Sequence, residues 1–153
     1  SEGEIFIYTK SGYGFVALEK NLETNKKTGK KVMNVKGDDI VIGVSKVVKD
    51  SDSVAIICDS DGKNKMLAFD IKELPKLDKG RGVILVKGKS LKVSNATVFN
   101  SKSVIKDQAE KTLFDKSTIE SNYGKRAQSG KIIKNYKNQI MNRNFENNIR
   151  CHL

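Results

Sequence analysis

The turn with the strongest potential for chemistry is a glycine-paired basic segment, Lys79-Gly80-Arg81-Gly82. Apolar runs at residues 66–69 and 83–86 flank it and are typical of β-strands. A turn between two such strands displays its cations at an outer edge while a core holds the strands. The glycine pair is not followed by a helical pattern, so it does not predict a nucleotide-phosphate loop. The segment therefore indicates binding of an anionic partner.

No arrangement of residues predicts catalysis. The one histidine, His152, lies near the C-terminus, so a triad with Ser or Cys would have to use it. The adjacent acids Asp38 and Asp39 are expected to cap a turn, and a cation site there is the less favoured interpretation. One His with the distant Cys58 and Cys151 offers too few metal ligands. The sequence favours a binding module over an enzyme, with no metal or cofactor of its own.

The charge balance points to a polyanion. The chain has 29 Lys and Arg against 18 Asp and Glu, a net charge of +11, which suits nucleic acid. The alternative is a solvated, lysine-rich surface from an AT-rich genome. Position favours binding, because the cations recur in corresponding loops of an internal repeat: Lys26, Lys27, Lys30 and Lys31; Lys76, Lys79 and Arg81; and Lys125, Arg126 and Lys131.

The repeat consists of strand, tight turn and strand. Residues 5–18 and 54–69 both follow this order, and Gly12 corresponds to Gly62. Residues 29–36 correspond to 80–87, and residues 112–115 begin a partial third copy that matches 67–70. A period of about fifty residues is typical of a four-stranded propeller blade.

These boundaries predict an all-β domain at residues 1–135, with blades at about 4–49, 50–100 and 101–135. Residues 136–153 form a basic tail, interpreted either as a solvated terminus or as an arm that binds phosphates. No apolar run is long enough to span a membrane, and no signal peptide is visible. Two distant cysteines are typical of free thiols in a reducing compartment, so we expect a cytoplasmic protein.

Four segments resemble a known family. Residues 5–14, 69–75 and 79–83 resemble the C-terminal repeats of bacterial type IIA topoisomerase A subunits. The segment at 123–131 resembles the terminal motif of topoisomerase IV A subunits and reads Tyr-Gly-Lys-Arg-Ala-Gln-Ser-Gly-Lys. The glutamine- and arginine-containing box of gyrase A subunits is absent from the equivalent loops.

The resemblance implies a β-pinwheel, here a fragment of about three four-stranded blades that exchange strands. Duplex DNA would lie along its basic rim. The catalytic tyrosine of the family would belong to a domain outside this chain, so Tyr8, Tyr13, Tyr123 and Tyr136 are expected to be core or turn residues. The resemblance and the repeat together predict these DNA-binding residues: Lys10, Lys27, Lys30, Lys31, Lys79, Arg81, Lys125, Arg126 and Lys131.

The implied function is binding and bending of DNA without sequence preference, in support of ATP-dependent strand passage catalysed elsewhere in the holoenzyme. That role would serve decatenation, supercoil relaxation and chromosome segregation near the nucleoid. The implied partners are the B subunit of the enzyme together with the rest of its A chain, and ATP and Mg²⁺ would act only in the holoenzyme. Two alternatives are DNA wrapping by a gyrase A domain and a protein-interaction propeller. An RNA-binding β module ranks lower, because the aromatic residues lie within strand patterns.

Overall fold

The computed structural model describes residues 3–21, 33–134 and 136. Within them the chain is mostly strand, which confirms the all-β prediction. The elements in chain order are β1 (Glu4–Thr9), β2 (Tyr13–Leu18), β3 (Val41–Val47), β4 (Ser53–Ser60), β5 (Lys63–Asp70), a 3-10 turn (Ile71–Glu73), β6 (Val83–Ile84), β7 (Lys92–Phe99), β8 (Ile105–Lys106), β9 (Thr112–Phe114), α1 (Lys116–Ser121) and β10 (Lys131–Ile132).

The first blade is an antiparallel sheet in the order β3-β1-β2-β6. Its centre, β1, is buried over almost its whole length, as expected for an apolar and β-branched run. The edge strand β6 belongs to the second repeat and pairs with β2, so that Tyr13 lies opposite Ile84 and Gly14 opposite Val83. The second repeat thus completes the blade of the first.

The second blade repeats this arrangement in the order β10-β5-β4-β7. Its edge strand β10 comes from the third repeat and places Lys131 opposite Met66. Two successive blades are therefore completed by the repeat that follows each of them. This is the strand exchange that the resemblance to β-pinwheels implies.

The third repeat contributes the two-stranded sheet of β8 and β9, followed by α1. Its alignment with the second repeat is confirmed by two caps. An Asp70 carboxylate oxygen accepts a hydrogen bond from the backbone N–H of Lys72 at 2.8 Å, and Asp115 accepts one from Thr118 at 2.9 Å. Each carboxylate satisfies a backbone donor of the turn that follows it.

Backbone contacts correct the alignment in one place. The N–H of Asn34 donates to the carbonyl of Gly80 at 2.8 Å, and the N–H of Lys87 donates to that of Gln128 at 3.1 Å. Asn34 is therefore the equivalent of Lys87, whereas the sequence pattern paired Lys36 with it. The strand predicted at 32–35 is reduced, among the described residues, to a single bridge between Met33 and Gly80.

Two apolar cores hold the blades together. The larger one joins the first two blades and includes Phe6, Ile56 and Phe69. The other joins the second blade to the third repeat, where Phe114 and Ile119 are buried. Cys58 is buried in the larger core, as predicted, and burial raises the pKa of its thiol to about 11.

The predicted tail begins at the second core. The ring of Tyr136 stacks on that of Phe114, with centroids 6.2 Å apart. The rest of the tail, residues 137–153, lies outside the described residues, so both interpretations of it stay predictions.

Candidate nucleic-acid interface

Two segments cross from one repeat to the preceding blade and carry most of the predicted basic residues. We call them the first crossing segment (residues 75–84) and the second crossing segment (residues 122–132). In the first, Pro75 accepts a hydrogen bond from the N–H of Val16 at 3.0 Å, and Leu77 donates to the Val16 carbonyl at 2.9 Å. Strand β2 thus holds the segment on both sides of Lys76.

The second crossing segment is held in the same way by β5. Ala68 donates to the carbonyl of Asn122 at 3.0 Å and accepts from the N–H of Gly124 at 2.7 Å. Tyr123 lies between these two bonds and is therefore the equivalent of Lys76. Its hydroxyl is 2.8 Å from that of Ser53. The repeated bonding pattern places the loops 79–82 and 125–130 at equivalent edges of successive blades.

The lysines of these loops are exposed. Neither Lys79 nor Lys125 makes a salt bridge to any residue that the structure describes. Lys131 is also exposed, and its Nζ donates to the carbonyl of Ser121 at 2.9 Å. Such side chains can reach a phosphate without first breaking an ion pair.

The two arginines of the loops have contacts within the protein. The Arg81 guanidinium carbon lies 3.9 Å from the centre of the Tyr13 ring, a cation–π arrangement. Arg126 donates from Nη1 to the carbonyl of Ile84 at 2.7 Å, and its backbone N–H donates to Glu73 at 3.1 Å. Both side chains are half-buried. The arginines therefore fasten the loops to the blades beneath them.

Lys10 lies apart from the crossing loops, in the turn between β1 and β2. This turn is fixed by Asp39, which accepts hydrogen bonds from the backbone N–H and the hydroxyl of Ser11. Partial burial alone would raise the pKa of Asp39, but the hydrogen bonds, chiefly those from Ser11, hold it below its usual range. Asp39 thus caps the turn, as predicted.

The remaining predicted contacts, Lys27, Lys30 and Lys31, lie outside the described residues. The structure also brings together lysines that the sequence pattern did not single out. Lys87, Lys89 and Lys92 are exposed near the β1–β2 turn, where Val93 donates its N–H to the carbonyl of Lys10 at 2.7 Å. The sequence predicted the Lys87-Gly88-Lys89-Ser90 turn but not its contact with another blade.

Two searches for other kinds of site give results for the same part of the chain. No group of three or more His, Cys, Asp or Glu side chains in it could hold a metal ion. No helix in it is long and apolar enough to cross a membrane.

Comparison with known proteins identifies the family. No family model matches the chain. The DNA topoisomerase 4 A-type subunit of Rickettsia conorii is 30% identical over 128 residues, and that of Rickettsia bellii is 33% identical over 129. Each alignment covers 84% of this chain but 17% of the relative. The corresponding protein of Caulobacter vibrioides is 35% identical over 79 residues, which are 52% of this chain and 10% of the relative.

Solved structures agree on the fold. The Escherichia coli ParC C-terminal domain superposes with a TM-score of 0.72 at 18% identity, covering 93% of this chain and 59% of that one. A C-terminal domain of DNA topoisomerase IV gives a TM-score of 0.58 at 17% identity, covering 91% and 45%. The exchanged blades and the related sequences lead to the same assignment. The chain belongs to the family of C-terminal domains of DNA topoisomerase IV A subunits.

Proposed function

We propose that this domain binds duplex DNA without sequence preference, through contacts between its basic side chains and phosphates. The observation that carries the proposal is the pair of crossing loops, which display Lys79 and Lys125 at equivalent blade edges without acidic partners among the described residues. Phosphate contacts position a protein on DNA but carry no base information. The described residues include no helix of the length that would read a major groove.

The proposed contacts are the predicted set: Lys10, Lys27, Lys30, Lys31, Lys79, Arg81, Lys125, Arg126 and Lys131. The two arginines stay in it because each is only partly buried. Their contacts with Tyr13 and Ile84 give them a second role, which is to hold the loops in place.

Successive basic loops on adjacent blades would follow a bent duplex. Bending a site of 20–30 base pairs costs on the order of a few kcal/mol, which several phosphate contacts can offset. The domain would thereby hold a DNA segment for strand passage, the step that decatenates and relaxes DNA. Since the chain spans 17% of the relatives' length, the catalytic tyrosine and the sites for ATP and Mg²⁺ would belong to the B subunit or to the remainder of the topoisomerase A chain.

The test is a fluorescence-anisotropy titration of this chain with mixed-sequence duplexes at several salt concentrations. We expect affinity to fall steeply with salt, with a log–log slope of about −0.9 for each phosphate contact. Lys79→Ala and Lys125→Ala should each make the slope less steep by about 0.9, equally for all sequences. Lys72→Ala, an exposed lysine in the 3-10 turn, is the matched control.

Two results would contradict the proposal. If the chain fails to bind duplex DNA at low salt, its charge only solubilises it and a protein partner becomes the better interpretation. If it binds but both loop variants behave like Lys72→Ala, the crossing loops are not the interface.

A further inference from the structure

The first and second blades meet at a seam with four exposed lysines, Lys10, Lys87, Lys89 and Lys92, which we call the seam lysines. The backbones there are joined by hydrogen bonds. Besides the bond from Val93 to Lys10, the N–H of Leu85 donates to the carbonyl of Gly12 at 2.7 Å. The segments that carry Lys87 and Lys92 therefore have fixed positions beside the turn that carries Lys10.

The turn with Lys89 is fixed over the hairpin of the second blade. The hydroxyl of Ser60 donates to the carbonyl of Lys89 at 2.9 Å. Gly88 packs so closely that an added methyl group would lie 2.5 Å from the same hydroxyl. Lys89 thus stands on a rigid support, which lowers the entropy lost when its backbone is ordered by a ligand.

Lys87 connects the seam to the second crossing loop. Its N–H donates to the carbonyl of Gln128, and the N–H of Gln128 donates to that of Lys125 at 3.3 Å. A continuous basic path therefore runs from Lys125 at the blade edge, past Lys87, to the other seam lysines.

Acidic groups near the seam are already engaged or lie on other turns. Asp39 is held by Ser11, and Asp59, which is paired across the sheet with Lys92, accepts from the N–H of Gly62 at 3.0 Å. Asp38 and Asp61 are exposed on the neighbouring turns. None of the four seam lysines makes a salt bridge to a residue that the structure describes.

The opposite ends of the blades have a different charge pattern. Lys76 there makes a salt bridge to Glu4 at 2.9 Å. Asp52 lies at that end and accepts hydrogen bonds from both the N–H and the hydroxyl of Ser101 at 2.8 Å. Asp70 and Asp115 cap the turns at the ends of β5 and β9. Cations at these ends thus face fixed carboxylates.

We propose that the seam lysines form a second phosphate-binding surface, so that the duplex passes from the crossing loops onto the hairpin side of the blades. This inference rests on the proposed DNA binding and adds its path. A duplex carries one charge per about 1.7 Å of its axis, so a continuous row of lysines meets phosphates along its whole length. The duplex bends toward the seam side as well as around the edge.

The experiment compares two triple variants in the full chain. One is Lys87→Ala/Lys89→Ala/Lys92→Ala at the seam. The control is Lys72→Ala/Lys102→Ala/Lys116→Ala, three exposed lysines beyond the ends of β5, β7 and β9. Both lose the same charge. In the anisotropy titration we expect the seam variant to lower the slope by about 0.9 for each contact and the control to change it little.

Chemical protection gives a second readout on the unaltered chain. Lysines are acetylated with and without a mixed-sequence duplex, and the modified positions are read by mass spectrometry. We expect the duplex to protect Lys87, Lys89 and Lys92 and to leave Lys72 and Lys102 reactive. Equal slopes for the two triple variants, or equal modification at seam and control lysines, would overturn the inference.

The outcomes separate the two proposals. If Lys79→Ala and Lys125→Ala weaken binding but the seam variant does not, the seam path is wrong and the crossing-loop interface stands. If neither the loops nor the seam matter, the proposed function fails with it.

Discussion

The two crossing segments follow the same path over the preceding blade but are fastened by different side chains. Val16 and Ala68 hold them with the same pair of backbone bonds. Arg81 then packs on Tyr13, a residue of the blade it crosses. Arg126 instead bonds to Ile84, which belongs to the other crossing segment. The backbone thus determines the strand exchange, and the side chains are free to differ between blades.

The close approach of backbones at the exchange should have the largest effect when it is blocked. Gly82 has φ of 84°, and an added methyl group would overlap the carbonyl of Gly14. Gly62 has a similar φ of 81° with open space around it, so Gly62→Ala is the matched control. We expect Gly82→Ala to lower the free energy of unfolding by about 1–3 kcal/mol more than Gly62→Ala, measured by urea denaturation.

Gly130 sharpens the comparison, since its own added methyl group would lie 2.8 Å from the carbonyl of Met66 and its φ is not in the left-handed region. Gly130→Ala should be destabilising through this contact alone. Equal losses for Gly82→Ala and Gly62→Ala would mean that backbone conformation, not the exchange, requires glycine at 82.

The Arg126 contact comes next in size. Removing the side chain leaves the half-buried carbonyl of Ile84 without this donor, at a cost of about 1–3 kcal/mol. We therefore expect Arg126→Ala to be clearly less stable than Lys125→Ala, its exposed neighbour. Equal stability of the two variants would show that Arg126 does not fasten the second crossing segment.

The Arg81 contact should be weaker. A cation over a tyrosine ring at a partly exposed site is worth about 0.5–1 kcal/mol. A double-mutant cycle with Arg81→Ala and Tyr13→Leu measures this coupling directly. A coupling near zero would mean that the ring and the guanidinium are neighbours without net attraction, and Arg81 would then act through its charge alone.

The strand patterns and the charged loops could be predicted from the sequence because both are local. Alternating and apolar runs indicate β1, β2, β4 and β5 directly. The pairing of β6 with β2 joins residues far apart in the chain, and no local pattern records it. For the same reason Arg81 was predicted as a DNA contact while its stacking on Tyr13 was not. Lys92 was missed because it became a candidate only when β7 met the β1–β2 turn.

The smallest effect concerns Asp39, and its direction depends on pH. A carboxyl whose pKa is lowered by folding stabilises the folded state above its unfolded pKa, and this stabilisation disappears as pH falls through the folded pKa. Asp39→Asn should therefore be less stable than the unaltered chain at neutral pH, with a difference that shrinks below the usual range of carboxyl pKa values. Asp38→Asn, at the exposed neighbour, is the control. Thermal denaturation at pH 7 and pH 3 tests this, because a difference for Asp39→Asn that is independent of pH would mean that its hydrogen bonds to Ser11 do not require the charge.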